Sequence, residues 1–450
     1  MAARQNRMIL DQCEIPGIRS LAVARRYGAY TALAKALTTM TPDQVVEEIT
    51  RSGLQGRGGA WFGTGLKWSF MPKEPRVESF LCVNADESEP GTCKDRYLIE
   101  KNPHLLLEGV LIACYAIRAS TAFIYVRGEM WEGMEVLETA IRELVTANLC
   151  GKNILGTGFT INVHVHPGAG AYICGEETAL MESLEGKRGY PRNKPPFPAA
   201  YGAFGHPTTI NNIGTLGYVP WIINHGADAF KGIGDPNFPG TLIYQVSGHV
   251  NRPGLYEAEL TVTLRDLIDM AGGVRSGHRL KAVIPGGTSM PLLTADDLDT
   301  VMSPASFAPR GSLKSGLGSA AVIVLDDTCN MVDVALNMMR FYRHESCGQC
   351  TPCREGTKWV CDMIERIHRR RARPGDLEVL EQVLVNVGDI DRFEFNKTIC
   401  LFGVSFGWPL TMLIRRFRSE FEAAVAESTP APVPLPVPAS VLPAGDLRAP

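Results

Sequence analysis

Between residues 79 and 184, short apolar runs of strand length alternate with longer segments of helical period. SFLCVN (79–84) has the composition of a buried strand, and PHLLLEGVLIACYAIRAS (103–120) reads as a helix opened by Pro103. AFIYVRG (122–128) is a second strand and EMWEGMEVLETAIRELVTANL (129–149) an amphipathic helix. FTINVHVH (159–166) alternates, with Phe159, Ile161, Val163 and Val165 on one face; a glycine loop then leads to a helix beginning near Glu176. Parallel neighbours need long crossovers, so this β-α-β-α-β-α order predicts an α/β fold with a mostly parallel sheet covered by helices. Upstream, Thr41, Pro42 and Gln44 open a helix with a capping box, and Gly53 closes it. The first 40 residues carry no clear pattern.

The composition shifts further along. Residues 186–209 are rich in Pro, Gly and basic residues. From about 240, TLIYQVSG, LTVTL, KAVIPGG and AAVIVLDD read as short strands around one helix, LRDLIDMAGG, which suggests a small α+β unit. From 328 the chain is helical again, and one helix carries Trp359, Val360, Met363, Ile364 and Ile367 as its apolar face. Residues 428–450 read as a disordered or polyproline tail. The expected divisions are 1–239, 240–327, 328–427 and the tail 428–450. A net charge of −3 over 450 residues argues against nucleic acid as the main partner. No apolar run is long enough to span a membrane, and the N-terminus lacks the apolar stretch of a signal peptide. The twelve cysteines are therefore expected to be reduced thiols.

Four loops carry candidate chemistry. The glycine-rich stretch 53–65 is neither a P-loop nor a dinucleotide fingerprint, since Trp61 stands where a third glycine would be needed. Its glycines still let backbone N–H groups approach a ligand, and Arg57 and Lys67 supply charge for a phosphate; a flexible surface loop is the alternative. VNADESEPGTCKDR (83–96) leaves the first strand at its C-terminal end, where open α/β sheets bind ligands. Its Asn84, Asp86, Glu87 and Glu89 suit a ribose, a heterocycle or a divalent cation, or simply form a solvated acidic turn. In GAGAYICGEET (168–178), Gly168, Gly170 and Gly175 clear space at a helix start, while Glu176 and Glu177 suit the helix dipole and repel phosphate. A flavin edge or ribose hydroxyls fit better there. Lys187, Arg188, Arg192 and Lys194 beside Phe197 suit a nucleotide or mark a basic polyproline linker. His164 and His166 read as ordinary polar-face histidines.

Cys347, Cys350 and Cys353 have the C-x₂-C-x₂-C spacing of iron–sulfur proteins. Cys361 lies two helical turns on and points away, so Cys400 is the better fourth ligand. A four-thiolate zinc site is the alternative, although structural zinc usually uses paired knuckles.

Together GLQGRGGAWFGTGLKWSFMP, NADESEPGTCKDR, GAGAYICGEETALMESLEGKRGYPRNKPPFPA, GHPTTINNIGTL and ESCGQCTPCREG resemble the NADH-binding flavoprotein subunit of respiratory complex I, NADH:quinone oxidoreductase. The resemblance runs from about 41 to 424. It implies FMN, one [4Fe–4S] cluster and NADH as substrate, with electrons passing finally to quinone. It places the flavin among Gly56, Arg57, Gly58, Gly59, Gly65, Lys67, Asn84, Asp86, Glu87, Tyr172, Gly175, Glu176, Glu177, Asn211 and Asn212. It makes Glu89, Glu177 and Lys194 contacts of NADH, with Phe62, Phe70 and Phe197 able to stack on adenine. Cys347, Cys350, Cys353 and Cys400 would hold the cluster, and no protein acid or base is required. The middle unit resembles a ubiquitin-like β-grasp module, and the 328–427 unit a helical iron–sulfur domain. The implied partners are a thioredoxin-like [2Fe–2S] subunit and a large iron–sulfur subunit. They would lie in a peripheral arm on the cytoplasmic face of a bacterial inner membrane, or on the matrix side in a mitochondrion. The diaphorase subunit of an NAD-linked hydrogenase or formate dehydrogenase shares these motifs.

The chain departs from this family at three places. Trp61 and Gly214 stand where the family usually has Gly and Glu, and Leu-Phe-Gly-Val follows Cys400 in place of Ala-Leu-Gly-Asp. If position 61 needs φ > 0 or lies against the cofactor, an indole is expected to clash or displace a loop. A paralogue whose flavin site is blocked by Trp61, and a zinc-stabilised interaction protein, are the non-catalytic readings.

Overall fold

The computed structural model describes residues 7–74, 78–307, 313–389, 391–392 and 394–429; the expected tail lies outside the described residues from 430 onward. Helix α1 (Pro42–Ser52) starts as its sequence requires. The Gln44 N–H donates to Thr41 Oγ1, the Thr41 N–H donates to Gln44 Oε1, and Gly53 takes the left-handed conformation that ends the helix. A short helix α2 (Thr64–Ser69) follows the glycine loop.

Strands β1 (Phe80–Ala85), β2 (Thr121–Val126), β3 (Asn162–Pro167) and β4 (Thr208–Asn212) form an all-parallel sheet in the order β3-β2-β1-β4. The crossovers are helices α3 (Lys94–Lys101), α4 (Pro103–Ile117), α5 (Trp131–Thr146) and α6 (Glu177–Leu184). Strand β4 has no periodic signature in its five residues, TTINN. It pairs with β1 and sets Asn212 beside Asn84 at the strand ends. On edge strand β3, His164 stacks on Phe123 and His166 on Tyr125, as polar-face histidines do.

Helix α4 is buried all round except at Tyr115, because the sheet covers one side and the N-terminal helices the other. A Cβ at Gly109 would lie 2.0 Å from the Leu216 carbonyl oxygen. Gly109→Ala therefore costs about 3 kcal/mol, the upper end for overpacking, and lowers the thermal unfolding midpoint.

Residues 7–40 form three short helices, Leu10–Cys13, Leu21–Arg26 and Thr31–Thr39. Each receives a carboxylate from the body at its N-terminal amides. Glu257 accepts from Leu10 N at 2.8 Å, Glu143 from Leu21 N at 3.0 Å and Glu108 from Leu33 N at 3.0 Å. Burial pushes Glu108 and Glu257 up to about 7.

The next unit is a mixed sheet of β5 (Thr241–Gly248), β6 (Gly254–Glu259), β7 (Leu280–Ile284) and β8 (Ala321–Asp326), in the order β6-β5-β8-β7. The β5–β6 hairpin is antiparallel, β8 runs parallel to β5, and α8 (Leu264–Met270) packs on the sheet. LTVTL is not a strand. Thr263 and Asp266 form a capping box that starts α8, so the alternation there belongs to a turn, and the strand is the GLYEAE that precedes it. The C-terminal region packs α9 (Met331–Glu345) and α10 (Thr351–His368) with the helices Asp376–Val387, Phe402–Arg416 and Arg418–Ala426. Val360, Met363, Ile364 and Ile367 are buried as expected, but Trp359 is 58% exposed. One residue of helix turns it about 100° away from Val360, off the packed stripe. No described helix is long and apolar enough to cross a membrane.

Candidate flavin, nucleotide and cluster site

A cavity of about 360 Å³ opens at the C-terminal ends of β1 and β4. The glycine loop reaches it as a hairpin. Thr64 N donates to Leu54 O at 2.8 Å and Gly56 N to Phe62 O at 2.9 Å, so residues 58–60 form the tip that walls the cavity. Gly58 has to be glycine, since a Cβ there would meet Asn212 Cβ at 2.9 Å. Gly65 serves packing instead: a Cβ would come within 2.4 Å of the Thr50 backbone nitrogen.

The turn after β1 supplies the polar wall. Asn84 donates to Gly175 O at 2.9 Å and accepts from Asp86 N at 3.0 Å. Burial pushes Asp86 up to about 7. Behind it Lys94, on α3, lies 2.8 Å from Asp95 Oδ2 and 3.6 Å from Glu87 Oε1. Burial opposes the Lys94 charge, but Asp95 and Glu87 outweigh it and hold it above its usual value. Burial and the Asp95 charge raise Glu87. Asp86 Oδ1 and Asp95 Oδ1 are buried without a hydrogen-bond partner, and both residues line the cavity. Orphaned acceptors on a polar wall fit a ligand that brings hydroxyl and ring N–H donors, as the ribityl chain and isoalloxazine of FMN do.

Asn212 donates to Asp95 Oδ2 at 2.6 Å, and its Oδ1 caps helix α7 (Ile213–Leu216). Asn211 accepts from Trp68 Nε1 at 2.9 Å beneath the site. Gly214 follows from this arrangement, because a Cβ there would sit 2.4 Å from Asp95 Oδ1. Glu176 satisfies the amides of Thr178 and Ala179 itself, so the α6 N-terminus is closed by the chain's own carboxylate. Glu177 bridges Lys67, at 3.0 Å, and Lys194; burial opposes its charge, but the two lysines hold it below its ordinary value. Glu89 accepts from Tyr172 Oη at 2.7 Å and from Ser289 N at 2.8 Å, and burial raises it. Phe62, Phe70 and Phe197 are exposed, with the first two rings 6.2 Å apart.

Two expectations change. Arg57 does not face the cavity. It is buried behind the hairpin, where Nη2 donates to Pro239 O at 2.7 Å, so the buried cation on the wall is Lys94. Trp61 does take the left-handed backbone, φ +56, at a cost of about 1–2 kcal/mol. Its indole turns away from the cavity, however, and Nε1 donates to Gly318 O at 3.1 Å. Local motifs also missed the far wall, where Ser289, Met290, Gly318 and Ser319 come from the mixed-sheet unit. Lys94 and Asp95 were legible as charges next to the acidic turn.

Cys347 follows α9, Cys350 caps α10, Cys353 lies in its first turn and Cys400 precedes the Phe402–Arg416 helix. Burial first, and then the three neighbouring thiols, push Cys353 up to about 12; burial pushes Cys400 to about 12 as well. Metal-free, Cys353 and Cys400 keep their protons, and a cluster has to displace them. Cys361 faces Arg343 instead. Cys400, Leu401 and Phe402 also line the cavity, so one of these four thiols stands on its wall.

The comparisons with known proteins agree with this layout. Residues 49–221 match the Nuo51 FMN-binding domain, 243–293 the SLBB domain, and 333–424 the NADH-ubiquinone oxidoreductase-F iron-sulfur binding region. The chain is 46% identical over 421 residues to the second NADH-quinone oxidoreductase F subunit of Rhizobium meliloti (strain 1021), covering 93% of this chain and 98% of that protein. It is 50% identical over 404 residues to the NADH-quinone oxidoreductase F subunit of Mycobacterium tuberculosis (strain ATCC 25618 / H37Rv), covering 89% and 88%. Among solved structures, a chain of the NAD+-reducing [NiFe]-hydrogenase in the H2-reduced state superposes with a TM-score of 0.81 at 34% identity, over 95% of this chain and 68% of that one. This chain belongs to the family of NADH-quinone oxidoreductase F subunits.

Proposed function

We propose that this chain is the NADH-oxidising subunit of a complex I, taking electrons from NADH on an FMN and passing them through one [4Fe–4S] cluster toward quinone. The observation that carries this reading is Cys400, whose thiol interacts with Cys347, Cys350 and Cys353 and which also lines the cavity. When bound, the flavin accepts hydride from NADH and releases electrons singly to the cluster. The chain's part is to bind and orient. The backbone of Gly58–Ala60 and the side chains of Asn84, Asp86 and Asn212 would hold the flavin. Glu89, pinned by Tyr172 and Ser289, and Glu177, pinned by two lysines, would fix the nicotinamide nucleotide without reorganising. Phe62, Phe70 and Phe197 offer exposed rings to adenine.

The divisions 1–239, 240–327 and 328–427 serve as flavin, β-grasp and cluster units in this reading. The partners are a thioredoxin-like [2Fe–2S] subunit and a large iron–sulfur subunit, in a peripheral arm facing the cytoplasm. The hydrogenase superposition supports a second reading, a diaphorase subunit, but relatives at 46–50% identity favour the quinone-linked complex. The test is the visible spectrum of the anaerobic protein with and without NADH. A flavin band near ~450 nm that bleaches on NADH is expected. Iron–sulfur absorption with no bleachable flavin, even after FMN is added, overturns the reading.

A further inference from the structure

Trp61 occupies a backbone conformation that bulky residues rarely adopt, so its surroundings must hold it there. Two contacts do so. Its indole N–H donates to the carbonyl of Gly318, 257 residues away in the chain. Its ring faces the guanidinium of Arg57 at 5.3 Å, and Tyr218 lies at 5.6 Å from the same group. Arg57 is buried, and its Nε and Nη1 have no hydrogen-bond partner. The two aromatic rings therefore add to the Pro239 carbonyl in compensating the buried cation.

The residue that Trp61 grips is itself wedged. A Cβ on Gly318 would lie 2.2 Å from Gly286 O, and a Cβ on Gly59 would meet the Gly318 carbonyl carbon at 3.5 Å. The backbones of the glycine hairpin, the 317–319 loop and the 286–290 loop thus stack without intervening side chains. All three loops wall the flavin cavity, one from the parallel-sheet unit and two from the β-grasp unit.

We propose that Trp61 is a positioning residue, a latch that ties the glycine hairpin to the 317–319 loop so that the two walls of the cavity keep a fixed separation. The consequence for flavin retention rests on the function proposed above; the latch itself does not. Trp61→Gly keeps the backbone conformation accessible and removes both contacts, whereas Trp61→Phe keeps a ring beside Arg57 and loses only the N–H.

Hydrogen exchange of the purified full chain tests the latch directly. In Trp61→Gly, exchange at 58–60 and 317–319 is expected to quicken about tenfold. Exchange along α10 and the iron content stay as in the parent. FMN is expected to dissociate about tenfold faster, with Trp61→Phe intermediate in both measurements. Unchanged exchange at both segments overturns the proposal. Faster exchange with unchanged flavin release upholds the latch and overturns its consequence for flavin retention. If Trp61→Gly does not fold, Trp61→Phe decides by the same two readings. A parent protein that binds no FMN defeats the functional reading, while the exchange rates still decide the latch.

Discussion

Cys400→Ala is expected to strip the chain of iron–sulfur absorption, with iron falling from about four atoms per chain to below about one, whereas Cys361→Ala leaves both unchanged. Cys400 approaches the 347–353 loop from a different part of the chain, and its thiol interacts with Cys347 and Cys350. Without it, one corner of the cluster opens to solvent. Cys361 is buried against Arg343. In the Cys400 variant, quinone reduction falls to background, while reduction of a soluble acceptor that draws electrons from the flavin persists. Iron analysis and the two assays on the assembled complex check this. Retained iron in Cys400→Ala would rule out the assignment.

Lys94→Met is expected to cost about 3–5 kcal/mol, because it leaves Glu87 and Asp95 buried without their cation. The loss depends on pH in a definite direction. Glu87 already sits above its ordinary value, through burial and then the Asp95 charge, and loses a compensating positive neighbour in the variant. A carboxyl raised in the folded state holds its proton over a pH range where the unfolded chain has released it. Stability therefore falls as pH rises from the ordinary carboxylate value through the raised one. The deficit of Lys94→Met relative to the parent is then larger at pH 8 than at pH 5.5, as denaturant titrations at the two values would measure. FMN affinity falls with it, since Asp95 also holds Asn212 on the cavity wall.

The sequence is legible where the physics is local. The Thr41–Gln44 box, the Pro103 helix start and the parallel strands need only neighbouring residues or simple periodicity, and the structure contains them. The cysteine triplet pointed to iron–sulfur chemistry by its spacing, and a flavin edge was one of two ligands the Gly168–Glu177 loop suited until the family resemblance singled it out. What stayed hidden depends on docking. TTINN has too few residues for a pattern and becomes β4 because β1 offers it an edge. Ser289 and Gly318 reach the cavity only once the mixed sheet packs against the parallel one. Arg57 looked like a phosphate cation because charge in a glycine loop usually faces out; here the aromatic rings of Trp61 and Tyr218 draw it inward.

The carboxylates that meet the N-terminal helices bear on how the chain can be handled. Residues 7–39 cannot be trimmed as if they were a dispensable leader. Their deletion would remove the amides that Glu108, Glu143 and Glu257 accept from and uncover the apolar core that these helices pack against. A protease that clips this stretch would damage the body it rests on, so intact mass at the N-terminus is a useful measure of sample quality.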